Sequence, residues 1–351
     1  MGVPKASQAP RRLQSHTRVP ASASSPPRAA RASLVGLVTA LVGVVVLVIT
    51  VRQVGWPDIR AGLAAIGAWF AVVVLLGAGR FAARARSWVL CARRVGADAL
   101  TTPRAFAAVL AADAVGNLTP LGLLASEPTK VLLLRPAVAT APALTSVALD
   151  NAFYTGSVVL MLAAGAWMLV RQAALPEPLR LAAEGVLAAV VVGGVAAAWA
   201  IRRRPAVLSW IAQAAARLSG RAARTPEVLR DLEARFYGVT AWPVGTVLAV
   251  AGWQAAFHAG AVAEVWLILS VLSGGRTSFA EAFILESTGR LITVLFKVVP
   301  FRVGVDEAGA AVVAAAIGVP VTDAVALALV RKLRIFVLNA AGLALLARSR
   351  R

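Results

Sequence analysis

The sequence predicts an all-α, polytopic integral membrane protein with about six spanning helices and two re-entrant hairpins in an inverted repeat. Of its 351 residues, 59% are hydrophobic, whereas soluble domains contain about 45–50% apolar residues. Ser33–Val51 has no charged residue over 19 positions, which is close to the roughly 20 residues that a spanning helix needs. Ala105–Tyr154 and Ala282–Phe336 look like two copies of one pattern, so we expect two related halves.

The composition argues against several functional classes. The net charge of +20 does not indicate a nucleic-acid-binding protein, because much of it lies between apolar segments, where basic residues determine topology. The single cysteine, Cys91, cannot form an intramolecular disulfide, and His16 and His258 are too few for a zinc site. The sequence has no motif typical of serine hydrolases, zinc proteases or phosphate-binding loops. We therefore expect no nucleic-acid partner, no cofactor and no enzyme activity.

The chain divides into a tail and one membrane domain. Residues 1–32 contain six basic residues and no acidic ones, with many Pro, Ser and Ala residues, which is typical of a disordered basic tail. Residues 33–347 then form a single membrane domain, with halves at about 33–172 and 181–347. The predicted spanning helices are 33–51, 62–79, 143–170, 181–201, 240–270 and 322–347.

The distribution of basic residues predicts the orientation of these helices. Basic-rich segments stay in the cytoplasm, and the richest are the tail, a predicted loop at 80–104 and residues 202–238. Both termini and Cys91 are therefore predicted to be cytoplasmic, while 171–180 and 272–277 face out. Residues 202–238 also show the spacing of an amphipathic helix that lies on the anionic leaflet. A solvated connection is the alternative.

This orientation requires two special segments. Residues 105–142 must begin and end on the cytoplasmic side, and residues 279–320 must begin and end on the outer side. Each is therefore a re-entrant hairpin or an even number of crossings, and the two copies have opposite orientations. Inverted repeats of this kind often place a binding site near the middle of the membrane.

The first hairpin contains ionisable side chains around a proline. Asp113 and Asn117 are four residues apart, so they share one helix face. Pro120 interrupts helical hydrogen bonding, and Glu127 and Lys130 follow it. Because non-helical backbone inside a membrane must be buried by protein or water, the break predicts the floor of a polar cavity. The alternative is a simple turn with a Glu127–Lys130 ion pair at its mouth.

The second hairpin carries more cations. Glu307 follows Pro300 by seven residues, the same spacing as between the proline and the glutamate of the first hairpin. Lys297 and Arg302 flank Pro300. Since an uncompensated charge in the bilayer centre costs about 2.5–3.5 kcal/mol on insertion scales, these groups must pair, line water or bind an anionic ligand. The alternative is that they lie at the outer interface and extend into water.

Further ionisable residues lie in and after the hairpins. Glu286 precedes Arg290 by four residues, the favourable order for an ion pair on a helix. Asp150 and Arg331 lie in the long helices that follow the two hairpins, and an ion pair between them across the halves is one hypothesis for their role. His258 is expected to be a hydrogen-bonded packing residue.

Two motifs carry a resemblance to a known family. Asn117–Lys130, which reads NLTPLGLLASEPTK, resembles the first motif of the flippase-like membrane domain of lysylphosphatidylglycerol synthases. Pro300–Glu307, which reads PFRVGVDE, resembles the second motif, together with Gly318 and the basic helix near Arg331. The resemblance covers about residues 33–347. It implies an integral protein of the bacterial inner membrane that translocates a lipid. Some family members also carry a soluble aminoacyl-transferring domain, which we expect this chain to lack, so synthase activity is not expected.

The leading hypothesis is therefore a lipid translocator that handles a polar or anionic headgroup. A non-transporting membrane partner of a lipid-modifying or glycosyl-transferring enzyme, and a membrane-embedded transferase that uses a lipid-linked donor, are the alternatives. The expected partners are membrane lipids, either anionic lipids or lipid phosphates, and a lipid-modifying enzyme; the oligomeric state stays open. The candidate binding residues are Asp113, Asn117, Glu127, Lys130, Asp150, Lys297, Arg302, Glu307 and Arg331.

Overall fold

The computed structural model describes residues 2, 48–49, 52, 56–119, 122–134, 137–171, 175–218, 227–296 and 299–349. These residues form helices and connections without any strand, so the all-α class is confirmed. The helices with defined bounds are α1 (Trp56–Ile66), α2 (Trp69–Arg93), α3 (Thr102–Leu118), α4 (Gly122–Leu134), α5 (Thr140–Val170), α6 (Glu177–Arg203), α7 (Val207–Leu218), α8 (Glu227–Tyr237), α9 (Val244–Ser273), α10 (Phe279–Leu295), α11 (Val305–Ile317) and α12 (Val321–Ser349). The predicted helix 33–51, the tail 1–32, Pro120 and Lys297 lie outside the described residues, apart from isolated positions.

The long apolar helices have the lengths that a membrane requires. Among the described residues, α5, α6 and α9 are long and apolar enough to cross a membrane. A fourth candidate is the pair formed by Arg60–Ile66 and α2, which is bent by 75°. The break lies at Gly67, whose φ of 40° is readily adopted by glycine. Helix α12 differs from the three candidate helices because it carries several charged residues along its length. The long apolar helices make this a polytopic membrane protein.

The predicted bounds of the helix at 62–79 and of the following loop at 80–104 are wrong, because the helical segment bends at Gly67 and the connection is limited to residues 94–101. Helix α2 continues to Arg93, which places Arg80 and Arg84 inside a helix. Both side chains are buried, with 8% of each residue exposed. Cys91, which was predicted to lie on the cytoplasmic side, is buried in α2.

The two halves show the same series of helices. Helices α3 and α10 each have 17 residues, α4 and α11 each have 13, and α5 and α12 have 31 and 29. Helix α2 packs against α9, α3 packs against α12, and α5 packs against α10, so each half contacts the other through corresponding elements. The two hairpins are therefore the α3–α4 pair and the α10–α11 pair.

The turns of the hairpins depend on special backbone positions. Gly122 begins α4 so close to the carbonyl of Gly116 that an added Cβ would collide with it. In the second hairpin, Phe301 and Arg302 have φ values of 51° and 49°, and Gly304 has a φ of 82°. Positive φ values at residues other than glycine are strained and are found mainly at functional sites.

Two apolar clusters lie on either side of a polar layer. One contains Val73 of α2, Met161 of α5 and Val265 of α9. The other contains Trp88 of α2 and Leu149 of α5. Arg80 and Arg84 of α2 lie between the two clusters along that helix, and Asp150 of α5 lies between them along its own. The fold therefore buries these three ionisable groups within the helix bundle.

Candidate functional site

A cavity of about 680 Å³ lies in the polar layer, between helices of both halves. One part of its wall is apolar, with Val158, Val159 and Leu162 of α5 facing Leu285 and Ile292 of α10. The described lining also contains eight basic side chains, Arg80, Arg84, Lys130, Arg290, Arg302, Arg331, Lys332 and Arg334, and four acidic ones, Asp113, Glu127, Glu286 and Asp306. The cavity is thus amphipathic, and its charged wall is mainly basic.

The first ion-pair cluster joins α2 to α5. Arg84 Nε donates to Asp150 Oδ2 at 3.0 Å, and its NH2 group donates to Asn151 Oδ1 at 2.9 Å. Ser87 and Gln254 donate to Asp150 Oδ1 at 3.1 and 3.2 Å. Asp150 is only 1% exposed, so this set of donors compensates for the removal of its carboxylate from water.

This arrangement shows that the predicted ion pair between Asp150 and Arg331 is wrong. Asp150 pairs within its own half, with Arg84, because helix α2 carries that arginine to the same depth in the bundle. Arg331 contacts two acids of the second half instead.

The second cluster is centred on Glu264 of α9, which is fully buried. Arg80 NH1 lies 3.0 Å from Glu264 Oε2, Arg331 Nε lies 3.6 Å from Oε1, and Arg334 contacts the same carboxylate. Arg331 also reaches Glu286 Oε2 at 2.7 Å. Glu286 in turn accepts from Arg290 at 2.6 Å, as the spacing of these two residues predicted. A chain of alternating charges therefore crosses the bundle from α2 through α9 and α12 to α10.

The two hairpin glutamates make corresponding contacts. Glu127 accepts from Asn151 Nδ2 at 2.7 Å and pairs with Lys130 at 3.1 Å. Glu307 pairs with Lys332 Nζ at 2.7 Å. It also accepts from the backbone N–H of Gly304 at 2.8 Å, which fixes the start of α11. In each half, a glutamate of the hairpin is thus bound by a side chain of the following long helix.

The helix positions of these residues also correspond. Asp150 lies ten residues after Thr140, the start of α5, and Arg331 lies ten residues after Val321, the start of α12. Asn151 and Lys332 are the next residues. Likewise, Arg84 and Glu264 each lie nine residues before the end of their helices, α2 and α9. The two halves hold ion pairs at the same places with opposite polarity.

The remaining predicted residues lie at the hairpin turns. Asn117 Nδ2 donates to Asp113 Oδ2 at 2.9 Å, as expected for side chains that share a helix face. Arg302 Nε donates to Asp306 Oδ1 at 3.2 Å, and the Arg302 carbonyl accepts from Lys332 at 3.3 Å. These contacts hold the strained turn against α12.

Of the predicted binding residues within the described part of the chain, six line the cavity. They are Asp113, Asn117, Glu127, Lys130, Arg302 and Arg331. Asp150 and Glu307 are buried behind the lining, where they hold basic residues that face the cavity. Arg80, Arg84 and Glu264 were missed as site residues. The four-residue spacing of the two arginines was the signal that could have placed them on one helix face.

His258 lies beside this network on α9. Its Nε2 atom is 2.9 Å from Ser157 Oγ, and its ring stacks on Tyr154 with 6.1 Å between centroids. Arg84 lies over the Tyr154 ring at 3.8 Å and Arg80 over Phe257 at 4.8 Å. These aromatic contacts add a favourable cation–π interaction to each of the two guanidinium groups.

Comparison with known proteins gives the family. Residues 33–342 match the family described as the lysylphosphatidylglycerol synthase TM region. The chain belongs to this family. No curated protein and no solved structure matches it. Membership implies a membrane protein related to lipid modification or translocation, and the resemblance predicted from the two hairpin motifs is confirmed.

Proposed function

We propose that this protein is a lipid translocator that admits the phosphate of a lipid headgroup into the central cavity. The observation that carries the proposal is the described lining, with eight basic and four acidic side chains beside an apolar wall. Guanidinium groups bind phosphate through paired N–H donors in a fixed geometry. The apolar wall formed by Val158, Val159 and Leu162 suits the start of an acyl chain. A lipid has both parts, whereas a soluble anion has no use for the apolar wall.

The buried acids support this role by keeping the basic residues in place when no ligand is bound. Glu264 holds Arg80 and Arg331, and Glu307 holds Lys332. A guanidinium that is already fixed loses less conformational entropy on binding than a mobile one. The acids would therefore act as positioning residues, and the phosphate would contact the bases.

The corresponding contacts of the two halves support an inverted repeat. In such transporters, a central site is exposed to each side in turn as the two halves move. We propose that the protein lies in the bacterial inner membrane with both termini in the cytoplasm, and that it moves lipid without making a covalent bond. The competing hypotheses are that the protein is a non-transporting partner of a lipid-modifying enzyme, or that it is a membrane-embedded transferase.

The test uses purified full-length protein in liposomes that contain fluorescent phosphatidylglycerol, with a reductant that quenches only the outer leaflet. The native protein should expose the inner-leaflet lipid to the reductant. Arg331→Gln should slow this by about tenfold or more, because a hydrogen bond to a charged group contributes about 1.5–3 kcal/mol. Arg217→Gln, on the exposed surface of α7, is the matched control.

No acceleration by the native protein over empty liposomes would overturn the proposal and favour a partner or transferase role. Equal rates of lipid movement for both variants and the native protein would show that Arg331 of the cavity wall does not take part in the mechanism.

A further inference from the structure

We propose that Arg331 is a conformational switch, which changes its carboxylate partner from Glu286 of α10 to Glu264 of α9 when the helices around the cavity change their relative positions. This inference rests on the proposed function, because it names the residue that controls the conformation of the same cavity. It concerns the movement of the protein and is independent of which lipid enters the cavity.

Arg331 lies between two carboxylates that belong to different helices. Its NH2 group is 2.7 Å from Glu286 Oε2, and its Nε atom is 3.6 Å from Glu264 Oε1. The two acids are 1% and 0% exposed, whereas 23% of the Arg331 side chain is exposed at the cavity wall. One guanidinium group therefore faces two buried acids and is close to only one of them.

Each of these acids uses one oxygen for other partners and turns its second oxygen to Arg331. Glu264 Oε2 is contacted by two other arginines, and Glu286 Oε1 accepts from Arg290 at 2.6 Å. Glu264 Oε1 and Glu286 Oε2 are buried, and neither makes a well-aligned hydrogen bond to any group in the described part of the chain. A buried acceptor without a hydrogen bond is costly. Movement of Arg331 towards either acid would satisfy that oxygen at the expense of the other.

The corresponding ion pair of the first half has no such freedom. Arg84 Nε donates to Asp150 Oδ2 at 3.0 Å, and its NH2 group donates to Asn151 Oδ1 at 2.9 Å. Only 9% of the Arg84 side chain is exposed, and its guanidinium lies 3.8 Å from the centre of the Tyr154 ring. The contact between α2 and α5 is therefore a fixed point, while the contact made by Arg331 in the second half can change.

The closest helix contacts indicate which helices move together. Gly260 of α9 packs so closely on the Arg80 side chain of α2 that an added Cβ would collide with it, and Gly165 of α5 packs in the same way on Ser287 of α10. Contacts as close as these leave little room for sliding, so α2 is expected to move with α9, and α5 with α10. The two acids that face Arg331 belong to different pairs. A change in the relative position of the pairs would therefore change the partner of Arg331.

The experiment measures the distance between α9 and α10 by double electron–electron resonance. Spin labels are attached to cysteines that replace Ala259 of α9 and Val294 of α10, both of which are exposed. Native Cys91 is buried, so it should not react. The full-length protein is placed in nanodiscs of phosphatidylcholine and phosphatidylglycerol, and the distance distribution gives the populations of the two arrangements.

Two acid variants should shift these populations in opposite directions. Glu286→Gln leaves Glu264 as the charged partner of Arg331, so the ratio of the two populations should change by about tenfold or more, given the strength of hydrogen bonds to charged groups. Glu264→Asp keeps a carboxylate for the other arginines but withdraws it from Arg331, so the ratio should change the other way. Glu184→Gln, which alters an exposed acid of α6, is the control and should leave the ratio unchanged.

The inference is overturned if Glu286→Gln has the distance distribution of the native protein, or if both acid variants shift it in the same direction. A purely structural role of the two acids would broaden the distribution without such opposite shifts. If Glu286→Gln does not fold, Glu286→Asp gives the same test, because it also withdraws a carboxylate from Arg331.

The liposome assay distinguishes failure of this inference from failure of the proposed function. If the native protein moves lipid but the acid variants keep the native distances, the switch is wrong and translocation stands. If the variants shift the distances in opposite directions but the native protein moves no lipid, the switch stands and translocation is wrong.

Discussion

Replacing Glu264 by glutamine should strongly destabilise the protein, because this one carboxylate holds several guanidinium groups. Glu264 is fully buried, and it pairs with Arg80 at 3.0 Å and contacts Arg334. Both arginines are also buried, at 8% and 7% exposed. Arg331 keeps a second acid, Glu286, so the loss of charge falls mainly on the other two arginines.

The size of the effect follows from the cost of a buried charge without a partner. Breaking a buried ion pair by removing one member costs about 3–5 kcal/mol. Glutamine has nearly the same size as glutamate, so it adds no cavity. A loss of this size is a large part of the total of about 5–15 kcal/mol that is typical of folded proteins. Glu281→Gln is the matched control, because Glu281 is a partly exposed capping-box residue and glutamine is accepted at that position.

A second substitution tests the reason for the loss. Arg334→Met alone should cost less than Glu264→Gln, because Glu264 would keep Arg80 and Arg331. The double variant Glu264→Gln/Arg334→Met should be more stable than Glu264→Gln, since it removes one of the unpaired charges. Thermal unfolding in detergent, followed by size-exclusion chromatography with fluorescence detection, measures all four variants. The reasoning is refuted if Glu264→Gln has the same unfolding temperature as the native protein. It is also refuted if the destabilisation of the double variant equals the sum of the effects of the two single substitutions.

Three other predictions follow from the fold. With cysteines introduced at positions 276 and 217, a membrane-impermeant thiol reagent should label position 276 from outside and position 217 only from the cytoplasmic side. Native Cys91 is buried, so it should not react. The opposite labelling pattern would reverse the predicted topology. Gly342→Ala should lower the unfolding temperature in detergent, because its Cβ would lie 2.5 Å from the Leu110 carbonyl oxygen and overpacking costs about 1–3 kcal/mol. Gly193→Ala, in open space, should not lower it. Glu307→Gln should stop lipid movement in liposomes because Lys332 loses its carboxylate partner, and full activity would contradict this.

The long apolar segments made much of the fold predictable. The predicted helices 143–170, 181–201, 240–270 and 322–347 correspond to α5, α6, α9 and α12, with ends that differ by a few residues. An apolar run that is long enough to span a membrane has few other ways to satisfy its backbone polar groups. This part of the prediction therefore depended on local sequence alone.

The error at 80–104 has a physical reason. Arginines that interrupt apolar sequence usually mark a cytoplasmic loop, but Arg80 and Arg84 have acidic partners elsewhere in the chain. Glu264 is 184 residues from Arg80, and Asp150 is 66 residues from Arg84. The amino-acid composition of a short sequence segment cannot show partners that lie so far away in the chain. The ion pairs with Glu264 and Asp150 offset the cost of burying the two arginines.

The repeat in the sequence identified ionisable residues that form ion pairs in the structure, but it did not identify their partners. An ion pair between Asp150 and Arg331 was considered because both residues lie in the long helices that follow the hairpins. Each instead contacts the long helix of its own half, through Arg84 and Glu264.

The opposite polarity of the two halves has a consequence for the central interface between α2 and α9. If both halves carried the same charges, α9 would place an arginine where it now has Glu264, opposite Arg80 of α2. Two like charges about 4 Å apart repel strongly where water is scarce. The glutamate instead joins the two helices by an ion pair of 3.0 Å. It also leaves Arg331 able to contact Glu286 at the cavity wall. The reversal therefore stabilises the contact between the halves while basic groups remain at the cavity wall.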